Sequence, residues 1–561
     1  MTAGTDQQPG AVQQGRVLIV LVLLGALFFI PGLGKVHLFD WDEANFAEAS
    51  REMIVRGDWL RVTIDYQPFY QKPPLFFWLQ ALSMKAWGVN EFAARFVNAL
   101  CGIATLAAVF TVGSRLFGVL FGLLWALAFA GSFLPHLFFR SGIIDPVFNL
   151  LIFSGIAVVA RAFLIENGKP RTGLFALAGT LIGLAVLAKG PVALLVVCLT
   201  VAVYWAAVRF RKLFGFGDVF VFFACTAAVS LSFFGAETLA HGTVFIKNFI
   251  AYQVKLFSTN ESGHGGPFFY HLLALLFGCF PASFFAAWSF SRRAEENDAQ
   301  KTFSRLMIVL FWVVLVLFSI VKTKTVLYSS LAYFPVTYLA ALFLWNVLQG
   351  KRSLTKLQYV LFSIFAGVVC LAIALFPVIM MHKELIIPLI RDNFAVACLE
   401  KPVRWTGFEF LLGTGYACAL AIAIFLIAKK NIVPGSAALF GASALCLFLF
   451  LFMFAPKMDA YAQGGPVAFY REHGGSGAYV RALYKSYIDK FYGRKGPDAH
   501  PSSYDREWLL RGPIDRPVYF VAKATQSRPW DDPALVLVKL KSEYGFVYYR
   551  RDMPGNASSS K

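Results

Sequence analysis

The sequence predicts a polytopic α-helical membrane protein, with about 13 transmembrane helices and a soluble α/β domain at its C-terminus. Three observations predict this class. The 561 residues are 58% hydrophobic and only 15% charged, with 59 Phe and a mean hydropathy of +0.63. A soluble fold of that composition would have too little polar surface, so the several soluble domains that length alone suggests are set aside. Apolar runs of about 20 residues, enough to cross ~30 Å of hydrocarbon, recur along most of the chain. After residue 455 the character changes to short mixed segments punctuated by Pro, Asp and Gly.

The runs place spans near 17–34, 94–112, 117–134, 143–160, 173–188, 191–208, 219–236, 268–288, 305–321, 325–347, 357–380, 407–427 and 435–455. The first lacks a small-residue cleavage site and is expected to stay as a membrane helix. An odd count puts the two chain ends on opposite sides. Lys and Arg concentrate in "RAFLIENGKPR", "VRFRK", "SRRAEENDAQKTFSR", "GKRSLTK" and "AKKN", which orients those loops inward and the tail outward. The net charge of +19 is read as membrane anchoring, with no nucleic acid as partner. Seven of eight Cys fall within apolar runs and only Cys398 in a loop, so no disulfide framework is expected.

Between the spans, residues 35–93 form a long outer loop with two interfacial helices, 42–57 and 75–87. The second carries Phe76, Phe77, Trp78 and Trp87 for the membrane interface. Residues 237–267 form another outer loop. In the tail, apolar spacing over 476–493 predicts a helix with Tyr479, Leu483 and Tyr487 on one face, while "RPVYFVAK", "ALVLVKL" and "GFVYYRRD" read as strands. The division expected is 1–455 for the membrane part and 456–561 for the outer α/β domain.

On this topology Asp40, Asp42, Glu43, Lys72, Asp145, Lys189, His264, Lys322 and Lys324 all reach the outer membrane boundary, from six separate parts of the chain. Ionisable groups converging at one depth mark a polar site. Each has a bland alternative. Asp40-x-x-Glu43 matches a capping box, which leaves Asp42 without a structural task. Lys72 precedes Pro73-Pro74 at a helix start, where a lysine and free backbone N–H groups together suit an anion, although snorkelling would also explain it. Asp145 before a proline could cap its helix, and Lys189 could snorkel. Lys322 and Lys324 occupy a tight outer turn, where basic residues are uncommon and suggest a bound anion. Carboxylates beside lysines, next to lipid, suit glycosyl transfer from a lipid-phosphate donor. The lysines would meet the leaving phosphate and a carboxylate would align or deprotonate the acceptor. No P-loop or dinucleotide fingerprint follows a strand.

The stretches "DWDEANFAEASREM", "YQKPPLFFWLQALSMKAWG", "RSGIIDPVFNL", "LAKGP" and "GHGGPFFY" resemble polyprenyl-phosphate-dependent glycosyltransferases of the GT-C superfamily. The nearest groups are the 4-amino-4-deoxy-L-arabinose lipid A transferases and, more distantly, the protein O-mannosyltransferases. The resemblance covers residues 17 to about 345 in order. It implies an Asp-Glu pair with a catalytic Asp at Asp42-Glu43 and a second acidic position at Asp145. It also implies donor-phosphate contact by Lys72 and a cavity lysine at Lys189. Relatives place a metal-holding Glu where this chain has Gln71, leaving His264 as the other candidate for substrate or ion contact. No cofactor is therefore expected to be required, and no metal ligand set is assigned.

The expected function is an inverting transfer of sugar from a polyprenyl-phosphate donor to a lipid or glycan acceptor such as lipid A. Catalysis would rest on Asp42, Glu43 and Asp145, with Lys72, Lys189, Lys322 and Lys324 binding phosphate. The expected location is a bacterial inner (plasma) membrane, the site and tail facing the periplasm. A protein O-glycosyltransferase is the alternative acceptor reading. A flippase or transporter is a different class, disfavoured because the charges gather at one face and no matched interruptions occur in two halves.

Overall fold

The computed structural model describes residues 11–166, 169–259, 265–290, 297–475 and 477–553. Helix α1 (Ala11–Phe29) leads to the first long loop, which holds α2 (Asp42–Arg56), a short hairpin of β1 (Thr63–Ile64) and β2 (Gln67–Pro68), and α3 (Leu75–Trp87). Both interfacial helices thus form where the sequence placed them. Membrane helices α4 (Glu91–Phe117) and α5 (Val119–Ala130) follow, then short α6 (Phe133–Phe138), α7 (Asp145–Ala162), α8 (Thr172–Lys189), α9 (Val192–Ala207) and α10 (Phe216–His241). After α11 (Val244–Ser258) come α12 (Tyr270–Gly278) and α13 (Ala282–Ser289), bent by 119° at their junction, then α14 (Asp298–Ile320) and α15 (Tyr333–Leu348).

The series continues with α16 (Lys356–Met381), α17 (Asn393–Leu399), α18 (Phe410–Ala428), α19 (Ile432–Met453), α20 (Ala455–Ala462) and α21 (Gly464–His473). Among the described residues ten helices are long and apolar enough to cross a membrane. Thirteen is reached only by adding α5, α9 and the bent α12–α13 pair, which are short or broken.

Small residues let these helices approach. A side chain at Gly179 of α8 would stand 2.3 Å from the Phe222 carbonyl of α10, and one at Gly183 would stand 2.7 Å from Val229. Gly-x-x-x-Gly spacing therefore makes the α8–α10 crossing. Thr226 Oγ1 donates to the Gly179 carbonyl across it. The core centres on Trp125, fully buried, whose Nε1 donates to Thr337 Oγ1 at 3.1 Å.

The tail forms a four-stranded sheet from β3 (Tyr479–Ala482), β4 (Val518–Lys523), β5 (Val538–Glu543) and β6 (Phe546–Arg551), ordered β3-β4-β6-β5. Strands β3 and β4 are parallel and the others antiparallel; Tyr479 pairs with Val518 and Val521 with Tyr548. Helices α22 (Ile488–Gly493) and α23 (Arg506–Arg511) complete it. The helix expected over 476–493 is corrected here: its first part is β3 and only its end is helical. Tyr479 and Val480 suit a strand, and the ladder to β4 outweighs the local helical spacing.

The sheet domain packs directly on the first long loop. Ala44 and Ala47 of α2 share one buried cluster with Phe469, Tyr470, Ile488 and Tyr492. The hairpin tip adds a clasp: Asp65 meets Arg481 at 2.6 Å, Lys490 at 3.3 Å and Lys495. Burial alone would raise the Asp65 pKa, but those three cations outweigh it and hold the carboxyl well below the usual range. The tip needs two left-handed residues, Asp65 (φ 58°) and Tyr66 (φ 60°), as a two-residue hairpin turn requires. Glu52 of α2 accepts the Tyr66 N–H at 3.1 Å and the Thr63 hydroxyl at 2.6 Å, which fixes that turn.

Candidate functional site

Helices α7 and α8 run in opposite directions, so the first residue of α7, Asp145, and the last of α8, Lys189, meet at the same membrane face. Their side chains pair at 2.5 Å. Capping, the bland alternative for Asp145, does not occur: its side chain makes no cap bond and lies in the first turn, at the positive end of the helix dipole. Lys189 lies at the negative end of α8, also favourable. Gly190 (φ 101°) turns the chain immediately afterwards, where any side chain would meet Phe249 at 2.6 Å.

Around this pair opens a cavity of about 410 Å³, walled also by Asp40, Asp42, Gln71 and Lys72. Lys72 is part-buried in the turn before α3. Burial first, then the charge of Lys189, lower its pKa to about 8, partly offset by Asp42 and Asp145. The four groups therefore share one electrostatic environment. That is the convergence the sequence suggested for Asp42, Lys72, Asp145 and Lys189.

Asp42 opens α2 behind a strained residue. Trp41 has φ 74° and ψ −112°, a conformation costly for a side chain of that size and one that clusters at functional sites. The tail holds this segment: Asp40 Oδ1 accepts the Tyr487 N–H at 2.8 Å as well as that of Trp41 at 2.7 Å. Lys485 Nζ lies 4.5 Å from the centre of a Trp41 ring, a cation–π contact. The Asp40–Glu43 capping box does not form. Glu43 Oε2 accepts the Phe39 N–H at 2.8 Å, and Asp40 faces Trp41 and Tyr487.

Three candidates lie elsewhere. Glu43 is buried in a bidentate pair with Arg95 at 2.7 and 3.0 Å and accepts the Gly142 N–H, so it braces α2 against α4 and does not line the cavity. Lys324 donates from Nζ to the carbonyls of Phe318, Ser319 and Val321, closing the end of α14. Lys322 is exposed, and its side chain does not line the cavity. Free helix-end carbonyls recruit such lysines, a local demand the anion argument overlooked. His264 lies outside the described residues.

The cavity also takes walls the sequence did not announce: Tyr252 of α11, Thr325 and Tyr328 after α14, and Lys485 and Tyr487 of the tail. Tyr328 stands four residues past Lys324, beside the turn whose lysines drew notice in the sequence. Lys485 and Tyr487 carried no signal, because nothing local brings the tail to the first loop. Among the described residues no three His, Cys, Asp or Glu side chains converge as a metal site. Gln71 offers a neutral oxygen beside the Lys72 cation.

A helical membrane core with carboxylates and lysines around a face cavity, capped by an α/β domain on the first long loop, is the architecture of the GT-C class. The family model for dolichyl-phosphate-mannose-protein mannosyltransferase matches residues 71–233. The undecaprenyl phosphate-α-4-amino-4-deoxy-L-arabinose arabinosyl transferase of Pectobacterium carotovorum is 27% identical over 373 residues, 64% of each chain. That of Yersinia pestis is 25% identical over 414 residues, 71% of this chain and 70% of its own. The chain spans 64% and 65% of the length of the Pectobacterium and Enterobacter relatives. The crystal structure of ArnT from Cupriavidus metallidurans bound to undecaprenyl phosphate superposes with a TM-score of 0.74 at 18% identity, covering 96% of this chain and 98% of that one. The chain thus has the GT-C fold, and the resemblance read from its sequence to the aminoarabinose transferases is borne out.

Proposed function

We propose that this chain is an inverting glycosyltransferase that moves a sugar from a polyprenyl-phosphate donor to an envelope acceptor, lipid A or a related glycolipid or glycan. The reaction takes place at the outer face of a bacterial inner membrane. One observation carries the reading: Asp42 and Asp145 share a single cavity with Lys72 and Lys189. As the bond from anomeric carbon to phosphate oxygen breaks, charge builds on the phosphate, and Lys72 stabilises it as a part-buried cation. Lys189 adds to the positive potential while it holds Asp145. Asp42 takes the proton of the acceptor hydroxyl as that oxygen attacks the opposite face of the sugar. The lysines supply the positive charge a metal would otherwise provide, so no divalent ion is required. Names of the relatives favour undecaprenyl phosphate as carrier and aminoarabinose as sugar.

The purified chain in nanodiscs, given undecaprenyl phospho-sugar and lipid A, should form a glycosylated lipid A detected by mass spectrometry. The anomeric configuration, read by NMR, should be inverted. Release of polyprenyl phosphate with retained configuration would refute the single-displacement mechanism. The match of residues 71–233 to a protein mannosyltransferase model favours a second reading, a protein acceptor. Comparing envelope lipids and glycoproteins with and without the chain separates the two.

A further inference from the structure

Helices α7, α9 and α14 carry a second cavity, of about 470 Å³, at the ends remote from Asp145, Lys189 and the close of α14. It therefore faces the opposite side of the membrane from the carboxylate–lysine site. Four cations line it, Arg209, Arg211, Lys301 and Arg305, against one carboxylate, Asp298. All five are exposed, and among the described residues none of the four cations is held in an ion pair. The chain leaves α9 through two left-handed residues, Arg209 (φ 57°) and Phe210 (φ 56°), a turn that swings the arginines over the cavity. Trp205 Nε1 donates to the Arg211 carbonyl at 2.9 Å and anchors the turn.

An aromatic layer floors this basic chamber. Phe163 stacks on Tyr204 with ring centres 5.9 Å apart, and Phe214 lies 6.1 Å from Phe163 and 5.4 Å from Trp205. Aromatic side chains at the end of membrane helices mark the headgroup level. Beyond them, deeper in the membrane, lies an apolar groove of about 190 Å³ between α7, α8, α9 and α10, lined by Val159, Phe175, Val197, Val201 and Phe222. Phe163 belongs to both walls, so the groove and the basic chamber adjoin.

Cations, then aromatics, then hydrocarbon is the polarity profile of a phospholipid read from headgroup to chain. Basic pockets between membrane helices bind anionic headgroups. A free anion would gain nothing from the groove, and a zwitterionic lipid would gain little from four cations facing one carboxylate. We infer that this second site binds an anionic phospholipid of the leaflet opposite the catalytic cavity, its phosphate on the arginines and an acyl chain in the groove. The inference stands apart from the proposed transferase activity.

Native mass spectrometry of the full chain with equimolar dioleoyl-phosphatidylglycerol and dioleoyl-phosphatidylcholine tests it. The native chain should retain phosphatidylglycerol about tenfold or more over phosphatidylcholine. The double variant Arg209→Gln/Arg305→Gln should lose that preference while its melting temperature in phosphatidylcholine nanodiscs is unchanged. Ala202→Trp, which fills the groove without altering charge, should also lower phosphatidylglycerol retention, and it decides the matter should the double variant fold poorly. Lys72→Ala should leave the preference intact. Equal retention of the two lipids, a preference that survives in Ala202→Trp, a preference abolished by Lys72→Ala, or equal protection by inorganic phosphate would each overturn the assignment.

Discussion

Raising the pH from 7 to 9 should weaken binding of the lipid-phosphate donor about tenfold, through Lys72 alone. In the free cavity burial and Lys189 lower the Lys72 pKa to about 8, well below that of a lysine in water. The ammonium is therefore almost complete at pH 7 and is lost as pH rises through that value. A bound phosphate stabilises the charged form and raises the pKa, so affinity must fall across the interval between the free and bound values. If only the protonated form binds, the apparent Kd grows by the factor 1 + 10^(pH − pKa), roughly 1.1 at pH 7 and roughly 11 at pH 9. That is about 1.4 kcal/mol. A donor phosphodiester does not titrate here, which assigns the slope to the protein. The assay is equilibrium binding of a polyprenyl phospho-sugar to the chain in nanodiscs, pH 6.5 to 9.5. Lys72→Arg, charged throughout, should flatten the curve even if its affinity at pH 7 is lower. A flat curve for the native chain, or the same slope in Lys72→Ala, would refute the reasoning.

Asp42→Asn should cut turnover ~10²–10⁴-fold, since it removes a proton acceptor at unchanged size; near-normal transfer would remove Asp42 from the mechanism. Glu43→Gln should act the other way, destabilising the fold by about 3 kcal/mol because Arg95 is left buried without its counter-charge, which thermal melting would register. A reporter fused after residue 561 should be active only outside the cytoplasm, and cytoplasmic activity would invert the proposed orientation. Exhaustive chelation should leave transfer by the purified chain largely intact; complete loss restored by one divalent ion would show that Gln71 had been misread.

The helical class and most of the elements were legible in the sequence because apolar run length is nearly a direct readout of membrane crossing. Helices α2 and α3 were equally legible, the first from its acidic start and the second from Pro73-Pro74. Asp42, Lys72, Asp145 and Lys189 could be gathered because topology alone fixes the depth of residues at helix ends. What escaped was whatever depends on a side chain's direction. Glu43 and Asp42 are neighbours in sequence, yet one points to Arg95 and the other to the cavity. Lys324 and Lys189 both end membrane helices, yet one folds back on its own carbonyls and the other reaches Asp145. The strand at Tyr479–Ala482 was misread for a related reason: its partner, Val518–Val521, lies too far along the chain for local spacing to register.

The bond from Tyr487 to Asp40 spans 447 residues, and it sets a timetable for the protein's own manufacture. The first loop leaves the ribosome early, with its carboxylates and strained Trp41, but the segment that braces it is translated near the end. At about 5–20 residues per second, the interval is roughly 20 to 90 s. Through that time the nascent chain already has its early membrane helices and lacks an assembled reaction centre. A translation product released before the sheet is made would therefore carry Asp42, Lys72, Asp145 and Lys189 without the tail segment that walls their cavity.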